Sequence, residues 1–118
     1  MNDRKEEIRQ RVRERTAAIR RAIGDRSLIA LGTIHTRTKV CGRKSCPCST
    51  DPDQRHGPYH EWSRVEDGRL AHTILSEEQA ELFAEAIASY REVQDLLSRW
   101  QHETVEALLS LRKRKGQR

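Results

Sequence analysis

The first part of the chain has a helical pattern of apolar and polar positions. Between residues 3 and 23 the apolar side chains recur at helical spacing on one face, and they are Ile8, Val12, Ile19 and Ile23. Asp3 followed by Glu6 has the spacing of a capping box, and Gly24 stands where helices commonly end. Arg15 and Thr16 interrupt the apolar stripe and narrow it. The pattern predicts one helix over residues 3–23.

The middle of the chain alternates with a period of two. Apolar or β-branched residues at 34, 36, 38 and 40 alternate with His35, Arg37 and Lys39, which is typical of a strand. Residues 41–58 contain five glycines and prolines and no helical period, so they predict a loop. Residues 59–65 and 70–75 predict two further strands. Asp67-Gly68 between them is a strong signal for a two-residue hairpin turn.

The last third of the chain predicts one long helix from Glu77 to Arg112. Ser76 and Gln79 have capping-box spacing, and nothing interrupts the pattern before Gly116. A helix of this length extends about 54 Å at 1.5 Å per residue. Its heptad positions, which we call the heptad seam, are apolar at eight of nine places: Phe83, Ala86, Tyr90, Val93, Leu97, Trp100, Thr104, Ala107 and Leu111. Four flanking residues widen the stripe to the width seen in helical bundles: Leu82, Ile87, Leu96 and Leu108.

Composition limits what a chain of this kind can do. Of its 118 residues only 23 are Leu, Ile, Val or Phe, and 35% are charged. So little core material favours one small domain that needs a bound metal or a partner, and it argues against a large enzyme with a deep pocket. No apolar run is long enough to span a membrane, and the first ten residues are too polar for a signal peptide. We therefore expect a cytoplasmic protein with reduced cysteines and no membrane partner.

A metal site is the clearest chemical signal in the sequence. Cys41, Cys46 and Cys48 lie within eight residues and are followed by His56. Three thiolates and one imidazole complete the tetrahedral set that structural zinc prefers. Gly42 allows a tight turn after the first ligand, and an odd number of cysteines in a reduced chain favours a metal over disulfides. The sequence predicts one Zn²⁺ held by these four side chains.

Other interpretations of the same residues stay open. His60 is an alternative fourth ligand, although it falls in a predicted strand, whereas His35 and His72 are expected at a strand surface. Three free thiols beside a surface histidine would need no metal. An iron–sulfur cluster usually takes four cysteines, so the three in this chain argue against one. A filled Cys3His site has no open position for water, and no general base stands at catalytic spacing, so we expect no enzymatic activity and no small-molecule substrate.

These elements predict an α+β fold. A zinc-stabilised three-stranded antiparallel sheet is flanked by an N-terminal helix and by a long C-terminal helix that resembles a coiled coil. The corresponding segments are an N-terminal helix (1–26), a zinc-binding β module (27–75), the long helix (76–112) and a basic tail (113–118).

The net charge of +5 is unevenly distributed and suggests nucleic acid as a partner. The long helix is acidic, with eight acidic and two basic residues over 76–111, whereas the regions around the cysteines and at the end of the chain are basic. The candidate contacts are Arg37, Lys39, Arg43, Lys44, Arg55, Arg112, Lys113, Arg114 and Lys115. Trp62 or Tyr59 can stack on a base, although each is more typical of a sheet-face core.

Two further functions compete with a DNA-binding accessory or regulatory protein. The heptad seam is longer than the N-terminal helix can cover, so residues 83–111 predict a homodimer, and the protein is then an interaction module that works through its long helix. Oxidation of the cysteines could also release zinc, as in a thiol redox sensor.

The chain resembles a family of small uncharacterised bacterial and archaeal proteins over residues 27–100. The resemblance is carried by Cys41 to Cys48 (CGRKSCPC), by His56 to Tyr59 (HGPY), by Asp67-Gly68 and by the long helix after Ser76. It implies Cys41, Cys46, Cys48 and His56 as the ligand set and the order strand, knuckle, hairpin, helix. Some members of that family are labelled as associated with mobile elements, which implies a similar setting here.

Overall fold

The computed structural model describes residues 3–111 and confirms the α+β prediction. The helices are α1 (Asp3–Arg15), α2 (Ala17–Gly24) and α3 (Glu77–Leu109). The strands are β1 (Thr33–Lys39), β2 (His56–Glu66) and β3 (Arg69–Leu75), and two short 3₁₀ turns, Pro47–Ser49 and Pro52–Gln54, lie between β1 and β2. The chain forms two compact units, a helical unit of residues 3–27 with 91–111 and a sheet unit of residues 28–90.

The prediction of one helix over residues 3–23 is wrong, because the helical unit contains two helices, α1 and α2, in this segment. The helix is interrupted at Thr16, whose φ of −103° lies outside the helical range. The Thr16 side chain is 1% exposed and its Oγ1 donates a 2.7 Å hydrogen bond to the carbonyl oxygen of Val12. Such a bond from a threonine to the preceding turn tends to bend helices. Ile8 and Ile19 on either side of the break are both buried, as the apolar stripe predicts.

The sheet unit is built from three antiparallel strands in the order β1-β2-β3. Thr36 pairs with His60, and His60 in turn pairs with Leu75. Asp67 and Gly68 both have positive φ, at 50° and 79°, which is the backbone that the predicted two-residue hairpin requires.

The two faces of the sheet have different surroundings. On one face the Trp62 ring lies 4.6 Å from that of Phe83 on α3, and Trp62 Nε1 donates to the carbonyl oxygen of Leu31 at 2.8 Å. Leu75 and Ile87 are also buried. Alternate positions point the other way, onto what we call the open face: Thr33, His35, Arg37, Tyr59, Glu61, Ser63, Val65, Leu70, His72 and Ile74. Most of these side chains are exposed.

Helix α3 begins as predicted and ends earlier. The amide of Gln79 donates to Ser76 Oγ at 3.1 Å, and the amide of Ser76 donates to Gln79 Oε1 at 2.9 Å, which completes the capping box. The helix ends at Leu109, and Arg112 lies outside the described residues. None of its described part, nor α1 or α2, is long and apolar enough to cross a membrane.

The heptad seam is only partly buried. Ala86, Val93 and Ala107 are buried, but Leu96 is buried in place of Leu97, which is 49% exposed. The buried residues of α3 therefore do not follow the seven-residue repeat at every position.

Candidate metal centre

The three cysteines and His56 lie where β1 leaves the sheet and β2 enters it. Lys39 at the end of β1 pairs with His56 at the start of β2, so the connecting loop begins and ends at neighbouring points. Cys41 follows β1 by two residues, and Cys48 lies in the 3₁₀ turn that Pro47 starts. The sheet register and a proline-initiated turn therefore bring the distant ends of this segment together.

The four ligand atoms form one cluster. The sulfur atoms of Cys41, Cys46 and Cys48 and a ring nitrogen of His56 all lie within 4.8 Å of one another. Cys46 Sγ is 3.3 Å from His56 Nε2, and Cys48 Sγ is 3.5 Å from Cys41 Sγ. A tetrahedron with Zn–S bonds of about 2.3 Å separates its sulfur atoms by roughly 3.7 Å. The observed spacing fits a single metal ion, and this group could hold one.

The arrangement also distinguishes the two candidate histidines. His60 Nδ1 is 2.8 Å from Thr36 Oγ1, and His60 Nε2 is 2.9 Å from Glu77 Oε2. Both ring nitrogens of His60 are therefore engaged away from the cysteines. His56 joins the cluster instead, while His35 and His72 lie exposed on strands, as expected.

The surroundings of the loop shift the pKa of two of the thiols in opposite directions. The Arg43 N–H, together with the Cys48 and other side chains of the cluster, lowers the pKa of Cys41 from 9.0 to about 7. The Cys41 N–H donates to Cys48 Sγ at 3.4 Å and acts to lower the pKa of Cys48. Burial and the neighbouring Cys46 and Cys41 nevertheless raise the pKa of Cys48 overall. A cationic metal would oppose that rise, because it binds the thiolate form.

Several of the proposed nucleic-acid contacts lie near this centre in the chain. Arg37 and Lys39 are on β1, Arg43 and Lys44 are between the first two cysteines, and Arg55 directly precedes β2; all five are exposed. The four basic residues Arg112 to Lys115 lie outside the described residues.

The two aromatic candidates for base stacking lie on opposite faces of the sheet. Trp62 lies on the face that packs against Phe83, is partly buried, and its Nε1 already donates a hydrogen bond, so it is engaged within the sheet unit. Tyr59 is half-buried on the open face, with Lys39 Nζ 5.5 Å from the centre of its ring.

A polar cluster on the open face was not found from the sequence. Glu61 is 9% exposed and forms an ion pair with Arg37, and its Oε1 lies 3.6 Å from His72 Nδ1. The hydrogen bond from Arg37 lowers the pKa of Glu61, against the opposing effect of burial. Ser63 Oγ is 2.8 Å from the same ring nitrogen of His72. A serine–histidine–acid relay needs opposite ring nitrogens, so this cluster is not arranged as a catalytic triad.

The sequence signal for this cluster is the strand alternation itself. Arg37, Glu61 and His72 share a face only once the register of three strands is known. Each of these residues taken alone resembles an ordinary strand-surface residue.

Comparison with known protein families matches residues 3–84 to a family described as "Domain of unknown function (DUF6788)". No curated protein and no solved structure matches the chain. The family match includes all four clustered side chains and the three strands, and it agrees with the expected resemblance to an uncharacterised family. Because it extends over more than half of the chain, the protein belongs to the DUF6788 family.

Proposed function

We propose that Cys41, Cys46, Cys48 and His56 bind one Zn²⁺, and that the sheet unit is a zinc-stabilised module that binds nucleic acid. The observation that carries the proposal is the convergence of these four side chains within 4.8 Å. Thiolates and imidazole are the ligands of structural zinc sites, whereas Mg²⁺ and Ca²⁺ prefer oxygen ligands.

The proposed zinc has a structural role. Four protein ligands fill a tetrahedron, so no position is left for the water molecule that a catalytic zinc requires. The site would connect the end of β1 to the start of β2 in a unit where Val40, Val65 and Leu70 remain exposed. Zinc binding contributes on the order of 10 kcal/mol in small zinc peptides, which is enough to offset a thin core.

Nucleic acid is the partner that the charge distribution favours. Arg37, Lys39, Arg43, Lys44 and Arg55 are all exposed on the strand ends and the loop that carry the metal ligands. Basic side chains on one small module are typical of phosphate binding, in which each neutralised phosphate releases counterions. An association with mobile elements, implied by the family resemblance, stays a prediction.

A salt titration tests this proposal. Binding of the zinc-loaded protein to labelled duplex DNA, single-stranded DNA and RNA is measured between 50 and 200 mM salt, and affinity should fall steeply with salt. Replacing Arg43 and Lys44 together by Gln should reduce the slope of log affinity against log salt by roughly 1.4 to 1.8. The matched control, Arg9→Gln with Arg13→Gln on α1, should leave the slope unchanged. Absence of binding to every nucleic acid at the lowest salt would reject the proposal.

A second candidate function is self-association through α3. One stripe on the surface of α3, which we call the uncharged stripe, has no charged residue. It consists of Gln94, Leu97, Gln101, Val105 and Leu108. Leu97, Val105 and Leu108 are 49%, 42% and 51% exposed. A two-fold dimer brings the same patch of both copies together. A patch without charge can be paired in this way because no like charges meet.

A further inference from the structure

We infer that the open face of the sheet binds single-stranded nucleic acid, with phosphates on Arg37 and Lys39 and unpaired bases on Tyr59 and the apolar residues of β2 and β3. The inference rests on the proposed function and adds to it the state of the nucleic acid and the surface that receives it. It is carried by the chemistry of the open face, which combines exposed apolar groups with cationic ones.

Three large apolar side chains on this face are exposed. Val65, Leu70 and Ile74 are 69%, 66% and 49% exposed. On the opposite face Trp62 packs against Phe83 and both are partly buried, while Leu75 is buried. Nucleobases have apolar faces that stack on aromatic rings and pack against aliphatic groups, so an apolar sheet surface suits them.

The cations of the open face lie at its Tyr59 end, whereas Val65 and Leu70 lie at the hairpin end. The Arg37 side chain is 54% exposed and contacts Glu61 through one terminal nitrogen, which leaves other N–H donors for a phosphate. Lys39 Nζ lies over the ring of Tyr59 at 5.5 Å. A base on Tyr59 and its phosphate on Lys39 would therefore be neighbours.

The carboxylate of Glu61, at the centre of the face, repels a bound phosphate only weakly. Glu61 is almost buried, is paired with Arg37 and lies 3.6 Å from the His72 ring. Its negative charge is therefore compensated from within the sheet, and the ion pair also fixes the direction of the Arg37 side chain. The other ionisable side chains on the face are the phenol of Tyr59 and the imidazoles of His35 and His72, and none of them is a carboxylate.

The shape of the face favours a single strand over a duplex. From Tyr59 to Val65 it extends about 20 Å along β2 at 3.3 Å per residue. Its residues lie on a sheet rather than on a projecting helix or ribbon of the kind that enters a major groove. In a duplex the bases are stacked inside, so an apolar sheet surface can reach them only when they are unpaired.

The test measures fluorescence anisotropy of zinc-loaded full-length protein with labelled oligo(dT), oligo(rU) and a duplex of equal length. The single strands should bind at least tenfold more tightly than the duplex. Tyr59→Leu should weaken single-strand binding about fivefold or more, since stacking on an aromatic is worth ~1 kcal/mol or more. Leu70→Ser should also weaken it, because it removes apolar surface from the face. The matched control is Leu82→Ser on α3, where the leucine is 51% exposed and lies off the open face, and it should leave affinity unchanged.

The outcomes separate this inference from the proposed function. Tighter binding to the duplex, or equal loss in the Leu82→Ser control, overturns the open-face site and leaves nucleic-acid binding intact. Absence of binding to all three probes overturns both. If a variant fails to fold, amide chemical shifts of the unaltered protein titrated with oligo(dT) decide the matter. Shifts confined to open-face residues of β1 to β3 support the site, and shifts confined to α1 and α2 contradict it.

Discussion

At the scale of single residues, the identity of the fourth ligand depends on what each histidine already contacts. His56 lies beside Cys46 Sγ at 3.3 Å, whereas His60 is held between Thr36 and Glu77. The cysteine ligands could be predicted because they are close in sequence. The choice between two histidines four residues apart required the strand register, since register decides which one faces the loop.

Replacing these two histidines in turn tests that assignment. His56→Ala should weaken zinc binding by more than about 100-fold, because even groups that only orient a ligand are worth 10- to 100-fold. His60→Ala serves as the matched control and should retain zinc affinity within a few-fold. Competition with a chelating dye measures both. A larger loss in His60→Ala than in His56→Ala would contradict the assignment.

The Arg37–Glu61 pair gives a second prediction at this scale. Removing Arg37 leaves an almost buried carboxylate without its main partner, so Arg37→Gln should lower the free energy of unfolding. Arg9→Gln removes a similar pair with Glu6 in which both side chains are more than 60% exposed, and should have little effect. Because pairing lowers the pKa of Glu61, the Arg37 contribution is present above pH 4.5 and is lost as pH falls through the depressed value. Urea unfolding across this pH range measures it, and equal effects of both variants would contradict it.

At the scale of elements, local signals predicted the capping box and the hairpin turn, because characteristic residues mark both. The capping box of Ser76 and the hairpin at Asp67-Gly68 involve residues a few positions apart, and both are present. The break at Thr16 was missed, and the apolar stripe contained both Leu96 and Leu97 without predicting that only Leu96 is buried. Those features depend on which side chains are buried after the helices pack, and a periodic pattern does not contain that information.

A glycine near the start of β1 gives a prediction for the sheet. Gly32 has a φ of +117°, and a Cβ there would lie against the Trp62 ring and 2.6 Å from the carbonyl oxygen of Ser63. Gly32→Ala should therefore destabilise the protein by roughly 2 kcal/mol or more. Gly24→Ala is the control, since its Cβ would meet nothing within 4 Å. Thermal unfolding compares them, and an equal effect of both substitutions would contradict the close approach of Gly32 to Trp62.

At the scale of the whole molecule, each of the two compact units leaves apolar surface exposed. The sheet unit exposes Val65 and Leu70, and the helical unit exposes Leu97 and Leu108. A thin core in each unit agrees with the small share of aliphatic residues in the sequence. The composition predicted a thin core, but it did not predict which surfaces leave apolar side chains exposed.

Self-association is the prediction that belongs to this scale. If the uncharged stripe of α3 joins two copies, sedimentation equilibrium at tens of micromolar should give twice the 13.7 kDa mass. Leu97→Asp should restore the monomer, because two-fold symmetry would bury a pair of unpaired carboxylates. Ala88→Asp, an equivalent change at an exposed α3 position outside the stripe, should leave the dimer intact. A single species at monomer mass in the unaltered protein would reject the dimer.

The central claim is that zinc on Cys41, Cys46, Cys48 and His56 stabilises the fold, and one unfolding experiment tests it most directly. Protein with its metal content quantified is unfolded by urea with zinc present and again after removal of all metal by excess chelator. We predict one zinc per chain and a cooperative transition that moves to much lower urea, or disappears, when the metal is removed. A metal-free protein that unfolds with the same midpoint and cooperativity would contradict the claim.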